Sequence, residues 1–222
     1  MKLNTIKNAE CWIFDLDNTL YPASTNLFDQ IDKRMCSYIA RFLKLDHSEA
    51  YNVQKSYFRE HGTSLKGMME NHAMEPDPFL EYVHDIDLSC VLPDGTMGEA
   101  LKALPGRKIV FTNAAKGYAK NVLKQIGIER HFEDIFDIVD ASYDPKPSPQ
   151  IYKKFVERYQ IDPKKSVMVE DIARNLVPAI NLGMTSVWVV TNRSWASNQT
   201  NGFVSDFTVD NLSSWLSIVA KS

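Results

Sequence analysis

The stretch Cys11-Trp12-Ile13-Phe14-Asp15-Leu16-Asp17-Asn18-Thr19-Leu20 decides the fold. Four apolar residues run together and end in acids. Their length and composition predict a buried strand, and Tyr21-Pro22 breaks the chain just beyond it. A strand that ends in two aspartates offers chemistry at its tip.

Downstream of Pro93-Asp94-Gly95 the texture alternates. Lys108-Ile109-Val110-Phe111, Ile135-Phe136-Asp137-Ile138-Val139, Ser166-Val167-Met168-Val169 and Ser186-Val187-Trp188-Val189-Val190 are predicted strands. Helical patterns lie between them at about 115–126, 149–159 and 174–182, and Gly127 and Gly183 stand where helices terminate. Strands alternating with helices imply right-handed crossovers and a parallel sheet covered on both faces. The expected class is α/β, a doubly wound, Rossmann-like core.

Between the first strand and that core the pattern is helical. Leu27, Phe28, Ile31, Met35, Tyr38, Ile39, Phe42 and Leu43 recur at three and four along one helix face. A second helix is expected from near Asp46, with Glu49 completing a capping box, to Gly62. Asp77-Pro78 reads as an N-cap with proline in the first helical position. The expected division is therefore a core of residues 1–21 and 93–222 with a helical cap, residues 22–92, inserted after the first strand.

Bulk properties exclude several classes. The chain has 222 residues, 44% hydrophobic and 24% charged, and a net charge of −3. That balance gives no electrostatic grip on nucleic acid or an acidic membrane. No apolar run is long enough to span a bilayer, and Met1-Lys2-Leu3-Asn4-Thr5 lacks the apolar stretch of a secretion signal. Cys11, Cys36 and Cys90 are scattered and odd in number, which fits buried thiols in a reducing cytoplasm. Nothing in the pattern fixes an oligomeric state.

In a doubly wound sheet, ligands bind beyond the carboxyl ends of the strands. Those ends carry Asp15-Leu16-Asp17, Thr112-Asn113, the region Asp144-Pro145-Lys146-Pro147, and Glu170-Asp171. A phosphate monoester needs its charge masked before an anion can approach, and a hard cation such as Mg²⁺, bound by carboxylates, does this. Asp15 and Asp171 supply carboxylates. An aspartate attacking phosphorus gives an aspartyl-phosphate, and a second acid must protonate the leaving oxygen and then activate water. Asp17 is spaced for that role: in extended chain, residues two apart point the same way, about 6.5–7 Å apart. Lys146 and Thr112 suit the phosphoryl oxygens.

Asp15-Leu16-Asp17-Asn18-Thr19-Leu20 resembles the first motif of the haloacid dehalogenase superfamily of phosphatases, with Thr112, Lys146 and Glu170-Asp171 matching its later motifs in order. The resemblance implies Asp15 as nucleophile and metal ligand. It implies that Asp17 gives the metal its backbone carbonyl and keeps its carboxylate as acid/base. Thr112 and Lys146 would bind phosphate with Asn113 close by, and Asp171 would complete the magnesium shell, with Glu170 acting through water. Asn175 stands where some relatives carry another acid. Relatives that cleave carbon–halogen bonds lack the second aspartate, so Asp17 argues against dehalogenation. Sugar phosphatases and phosphomutases keep both acids, and a non-catalytic binding protein is disfavoured by intact acids at every motif.

The wider pattern resembles the pyrimidine 5′-nucleotidase group: Asn18-Thr19-Leu20-Tyr21-Pro22, His61-Gly62-Thr63-Ser64-Leu65-Lys66-Gly67, Asp77-Pro78-Phe79-Leu80-Glu81-Tyr82-Val83-His84-Asp85 and Phe111-Thr112-Asn113-Ala114. This implies UMP- or CMP-like substrates. Because the core recognises only phosphate, the helical insert must select the leaving group. His61, Thr63, Ser64 and Lys66 are the candidates, with Lys66 or His61 expected to face the substrate.

Overall fold

A computed structural model describes residues 2–192 and 204–221. In chain order the elements are α1 (Lys2–Lys7), β1 (Cys11–Phe14), α2 (Leu27–Leu43), α3 (His47–His61), α4 (Ser64–His72), α5 (Pro76–His84), α6 (Gly95–Ala103), β2 (Arg107–Phe111), α7 (Lys116–Ile126) and β3 (Asp134–Phe136). They continue with α8 (Pro149–Tyr159), β4 (Ser166–Glu170), α9 (Ala173–Asn181), β5 (Thr185–Val189), β6 (Phe207–Val209) and α10 (Leu212–Lys221).

The six strands form one parallel sheet in the order β3-β2-β1-β4-β5-β6. From β1 the chain moves outward to β2 and β3, then returns to the other side of β1 for β4. The switch point is therefore between β1 and β4. Register places Phe14 level with Val110 and Val169, so the tips of β1, β2 and β4 end together. Trp12, Ile13, Phe14, Val110 and Val169 have no exposed side chain, as expected of strands covered on both faces. Burying each such side chain contributes about 1.5–3 kcal/mol.

Helices α2 to α5 pack on one another between β1 and β2, and α6 then returns to the sheet and packs on α10. The capping box on α3 forms: Asp46 Oδ1 accepts from the Ser48 and Glu49 amides at 2.8 and 2.9 Å, and Glu49 Oε2 accepts from the Asp46 amide at 3.1 Å. Such a cap is worth about 1 kcal/mol. Gly62 ends α3 at φ +87°, and a Cβ there would lie 3.1 Å from Pro145 Cγ. A Cβ on Gly67 would lie 2.4 Å from Tyr57, so only glycine lets α4 come this close to α3.

Four expectations need correction. The N-cap of α5 is Glu75, with Pro76 at the first position, so the helix starts ahead of Asp77-Pro78. The first-turn amides have no acceptor within the helix, which is why Pro78 is tolerated inside it. Strand β3 stops at Phe136, because Asp137 turns its carboxylate back onto the amides of Lys116 and Asp140, each at 2.8 Å. Cys90 is exposed rather than buried. The chain also leaves the strand at Asp15: the Leu16 carbonyl accepts from the Thr19 and Leu20 amides, and Asn18 is left-handed at φ 58°. Asp17 therefore stands in a turn rather than in extended chain.

Candidate active site

The switch point gathers the acids. Asp15 follows β1, its amide bonded to the Val169 carbonyl at 2.9 Å. Glu170 ends β4 and Asp171 follows it. Oxygens of Asp15, Glu170 and Asp171 lie within 4.8 Å of one another, all three residues buried. Their common counter-charge is Lys146, 1% exposed, whose Nζ donates to Asp15 Oδ1 at 2.7 Å, Glu170 Oε1 at 2.9 Å and the Phe111 carbonyl at 2.7 Å.

One ammonium cannot balance three buried carboxylates. Burial raises the Asp15 carboxyl to about 7, against the opposing pull of Lys146 and with a further push from Glu170. Asp171 is driven well above the carboxylate range, again by burial first and then by the Glu170 and Asp15 charges. Burial alone would lower the Lys146 ammonium, but Asp15 and Glu170 hold it above its ordinary value. Among the described residues, Asp171 Oδ2 is buried and has no hydrogen-bond partner. An orphaned carboxylate oxygen within an all-oxygen, net-negative cluster fits a hard divalent cation such as magnesium.

Glu170 is a hub. Its Oε1 also accepts from Asn175 Nδ2 at 2.6 Å, and its Oε2 from the Ile172 amide at 2.7 Å. Asn175 therefore orients Glu170. Trp188 Nε1 donates to the Asp171 carbonyl at 2.8 Å and fixes that backbone.

Thr112 caps its own turn, its Oγ1 accepting from the Ala114 amide at 3.0 Å, and it lines the cavity. Asn113 lines the same cavity, but its amide clamps Lys146: Oδ1 accepts from the Lys146 amide at 2.8 Å and Nδ2 donates to its carbonyl at 3.3 Å. Asp17 stands at the wall. Its Oδ1 accepts from the Tyr21 hydroxyl at 2.6 Å and the Tyr118 hydroxyl at 2.8 Å. Burial raises its carboxyl and these two bonds oppose the rise. The Asp17 carboxylate is not part of the acid cluster; Glu170 supplies the third one.

The cavity measures about 630 Å³ and is roofed by α2, α3 and α5. Phe28, Met35, Tyr51 and Phe58 give it an apolar wall, with Asp32, Gln54 and Lys55 as a polar patch. Gln54 and Lys55 both donate to Asp32 Oδ1, at 2.8 and 2.5 Å. The candidates read from the sequence are differently placed. Lys66 Nζ pairs with Asp144 Oδ1 at 2.6 Å, and His61 bonds Glu70 and lies near Asn71; neither lines the cavity. Thr63 and Ser64 do line it, but Thr63 Oγ1 accepts from the Lys66 amide and Ser64 Oγ donates to the Gln54 carbonyl. The polar run lies at a helix junction, where Thr63 caps α4 and the side chains of His61, Ser64 and Lys66 are engaged with Glu70, Gln54 and Asp144. The lining of α2 and α3 was hidden among ordinary amphipathic residues, as was Tyr118.

Residues 10–183 match the haloacid dehalogenase-like hydrolase family. The chain belongs to that family. Among curated proteins it is similar to phosphate metabolism protein 8 of Saccharomyces cerevisiae, 29% identical over 79% of this chain and 60% of the yeast protein. It therefore spans less than two thirds of that relative. It is also similar to glyceraldehyde 3-phosphate phosphatase of Pyrococcus furiosus, 27% identical over 79% of this chain and 78% of that protein. The fold is shared with a HAD phosphatase from Thermococcus onnurineus (TM-score 0.62, 19% identity, 95% of this chain and 97% of that one). It is shared as well with an L-2-haloacid dehalogenase from Xanthobacter autotrophicus (TM-score 0.59, 16% identity, 95% and 98%). The same scaffold thus carries both chemistries, and the side chains at the strand tips have to distinguish them.

Proposed function

We propose that this hydrolase is a magnesium-dependent phosphatase of small phosphate monoesters, acting through an aspartyl-phosphate on Asp15. The observation that carries this is the pairing of a buried Asp15, held by Lys146, with a separate carboxyl at Asp17 on the cavity wall. Asp15 attacks phosphorus. Asp17 protonates the departing oxygen, then takes a proton from the water that opens the aspartyl-phosphate. Lys146 and the Thr112 hydroxyl hold phosphoryl oxygens. Magnesium, held by Asp15 and Asp171 with the Asp17 carbonyl, would mask the phosphate charge. Residues 1–21 and 93–222 then act as the catalytic core and residues 22–92 as the cap.

For the substrate, the reading is a pyrimidine nucleoside monophosphate, UMP or CMP, with the nucleoside as leaving group. A cavity of about 630 Å³ with aromatic walls at Phe28, Tyr51 and Phe58 has room for a base as well as a sugar. The names of the archaeal relatives favour a second reading, a three-carbon sugar phosphate. A screen of phosphorylated metabolites decides between them: a sugar phosphate preferred over every pyrimidine nucleotide defeats the first reading. Undiminished turnover in Asp15→Asn would defeat both.

A further inference from the structure

Asp17 is held from behind. Tyr21 and Tyr118 are 2% and 5% exposed and do not line the cavity, yet both hydroxyls converge on one oxygen, Asp17 Oδ1. The tyrosines are 97 residues apart in sequence, and their hydroxyls lie 3.5 Å from each other. Among the described residues, Asp17 Oδ2 has no hydrogen-bond partner. His84 of α5, which lines the cavity, stacks on the Tyr118 ring at 4.5 Å and 11° and ties the arrangement to the helical roof.

A carboxylate oxygen has two lone-pair sites. Two tyrosine hydroxyls fill both sites on Oδ1, so a proton on this carboxyl has only Oδ2 to occupy. The same two bonds fix the rotation of the carboxyl group, and Oδ2 is the oxygen left free of them. We propose that Tyr21 and Tyr118 are positioning residues that make Asp17 Oδ2 the proton-carrying oxygen of the reaction. In the first step the Oδ2 proton moves to the leaving oxygen as the P–O bond breaks and the Asp15–phosphorus bond forms, releasing the alcohol and leaving Asp17 ionised. In the second, Oδ2 takes one proton from water, whose oxygen bonds to phosphorus. Asp15 departs as carboxylate, and phosphate leaves.

This inference rests on the phosphatase reading, so its test uses probes that do not depend on cap selectivity. Phenyl phosphate has a leaving group with a pKa of about 10, like the tyrosine phenol, and needs the proton. From 2,4-dinitrophenyl phosphate the dinitrophenolate departs without it. The constant kcat/KM reports phosphoryl transfer to Asp15 for both esters. In Tyr21→Phe/Tyr118→Phe the ratio of kcat/KM for phenyl over dinitrophenyl phosphate should fall tenfold or more, and each single variant should give part of that. Asp17→Ala should lower the ratio further, and adding the two phenylalanines to it should change the ratio less than twofold. Equal losses on both esters, or a further fall in the Asp17→Ala background, would overturn the positioning role. Thermal melting of each variant separates a general folding defect, which lowers both constants together. Failure of the unmodified protein to turn over either ester defeats the phosphatase reading itself, and the positioning role falls with it.

Discussion

Lys146 Nζ lies 2.7 Å from Asp15 Oδ1 in the interior, with the lysine 1% and the aspartate 7% exposed. Removing one member of a buried ion pair leaves the other without compensation, a loss of about 3–5 kcal/mol. Lys146→Met should lower the unfolding free energy by an amount in that range and reduce kcat by about 10²–10³, the cost of losing one preorganised donor to a phosphoryl oxygen. Urea titration and steady-state kinetics on an aryl phosphate check both. Unchanged stability would mean that Asp15 and Glu170 find another counter-charge.

The opposite sign is expected at Asp171. Its Oδ2 is buried without a partner among the described residues, and its charge repels those of Glu170 and Asp15. Asp171→Asn removes that repulsion, so the metal-free protein should melt several degrees higher than the unmodified chain in EDTA. The stabilisation by magnesium should shrink to near zero in the same variant, because ligand binding stabilises only in proportion to its affinity for the native state. Melting curves with EDTA and with magnesium give both readings. A variant that melts lower in EDTA contradicts the picture of an over-charged cluster.

The strands were legible because their apolar runs are short, continuous and covered on both sides, as at Ile109-Val110-Phe111 and Val167-Met168-Val169. The caps at Asp46 and Gly127 were legible because capping chemistry is local. What was missed is non-local or faint. Helix α6 opens with Gly95 and carries Gly98, a weak helix signal that packing on α10 overrides. Strand β6 has three residues, too few to show a period. At the candidate site, Thr112 and Asp171 could be found because they follow strand tips, and Lys146 because it lies in the loop that leaves β3. Tyr118 and Arg174 could not, since their partners Asp17 and Gly62 lie about a hundred residues away in sequence.

Acidity and metal should be linked through Asp15. Its carboxyl stands at about 7 in the metal-free fold against 3.8 for the ordinary side chain. A folded value above the unfolded one means that this group favours folding fully below about pH 4, and that the contribution is lost as pH rises through about 7. Magnesium binds the ionised form, so it has to displace a proton at low pH and none at high pH. The rise in melting temperature at fixed magnesium should therefore be larger at pH 8 than at pH 5.5. Asp15→Asn should flatten the pH dependence measured in EDTA. A magnesium shift independent of pH would remove Asp15 from the metal shell.

Lys66 and His61 are engaged away from the cavity, so their alanine variants should change kcat/KM for UMP less than threefold. Arg174 is expected to matter more. It lies on α9, just after the acid loop, and its guanidinium Nη2 donates to the Phe58 carbonyl at 3.1 Å and the Gly62 carbonyl at 3.3 Å. It thereby caps the C-terminal end of α3, where a cation also meets the negative end of the helix dipole. Its Cζ lies 4.3 Å from the Phe58 ring centroid, so the same side chain sets a wall of the cavity. Burial lowers the guanidinium pKa, but arginine remains charged at any working pH. Arg174→Ala should free the end of α3, raise KM for UMP about tenfold and lower kcat by no more than a few-fold. Arg174→Lys should recover part of the loss, because a single ammonium can reach one carbonyl but cannot stack on Phe58 as a planar guanidinium does. A fall in kcat with KM unchanged would instead place Arg174 on the transferring phosphoryl group.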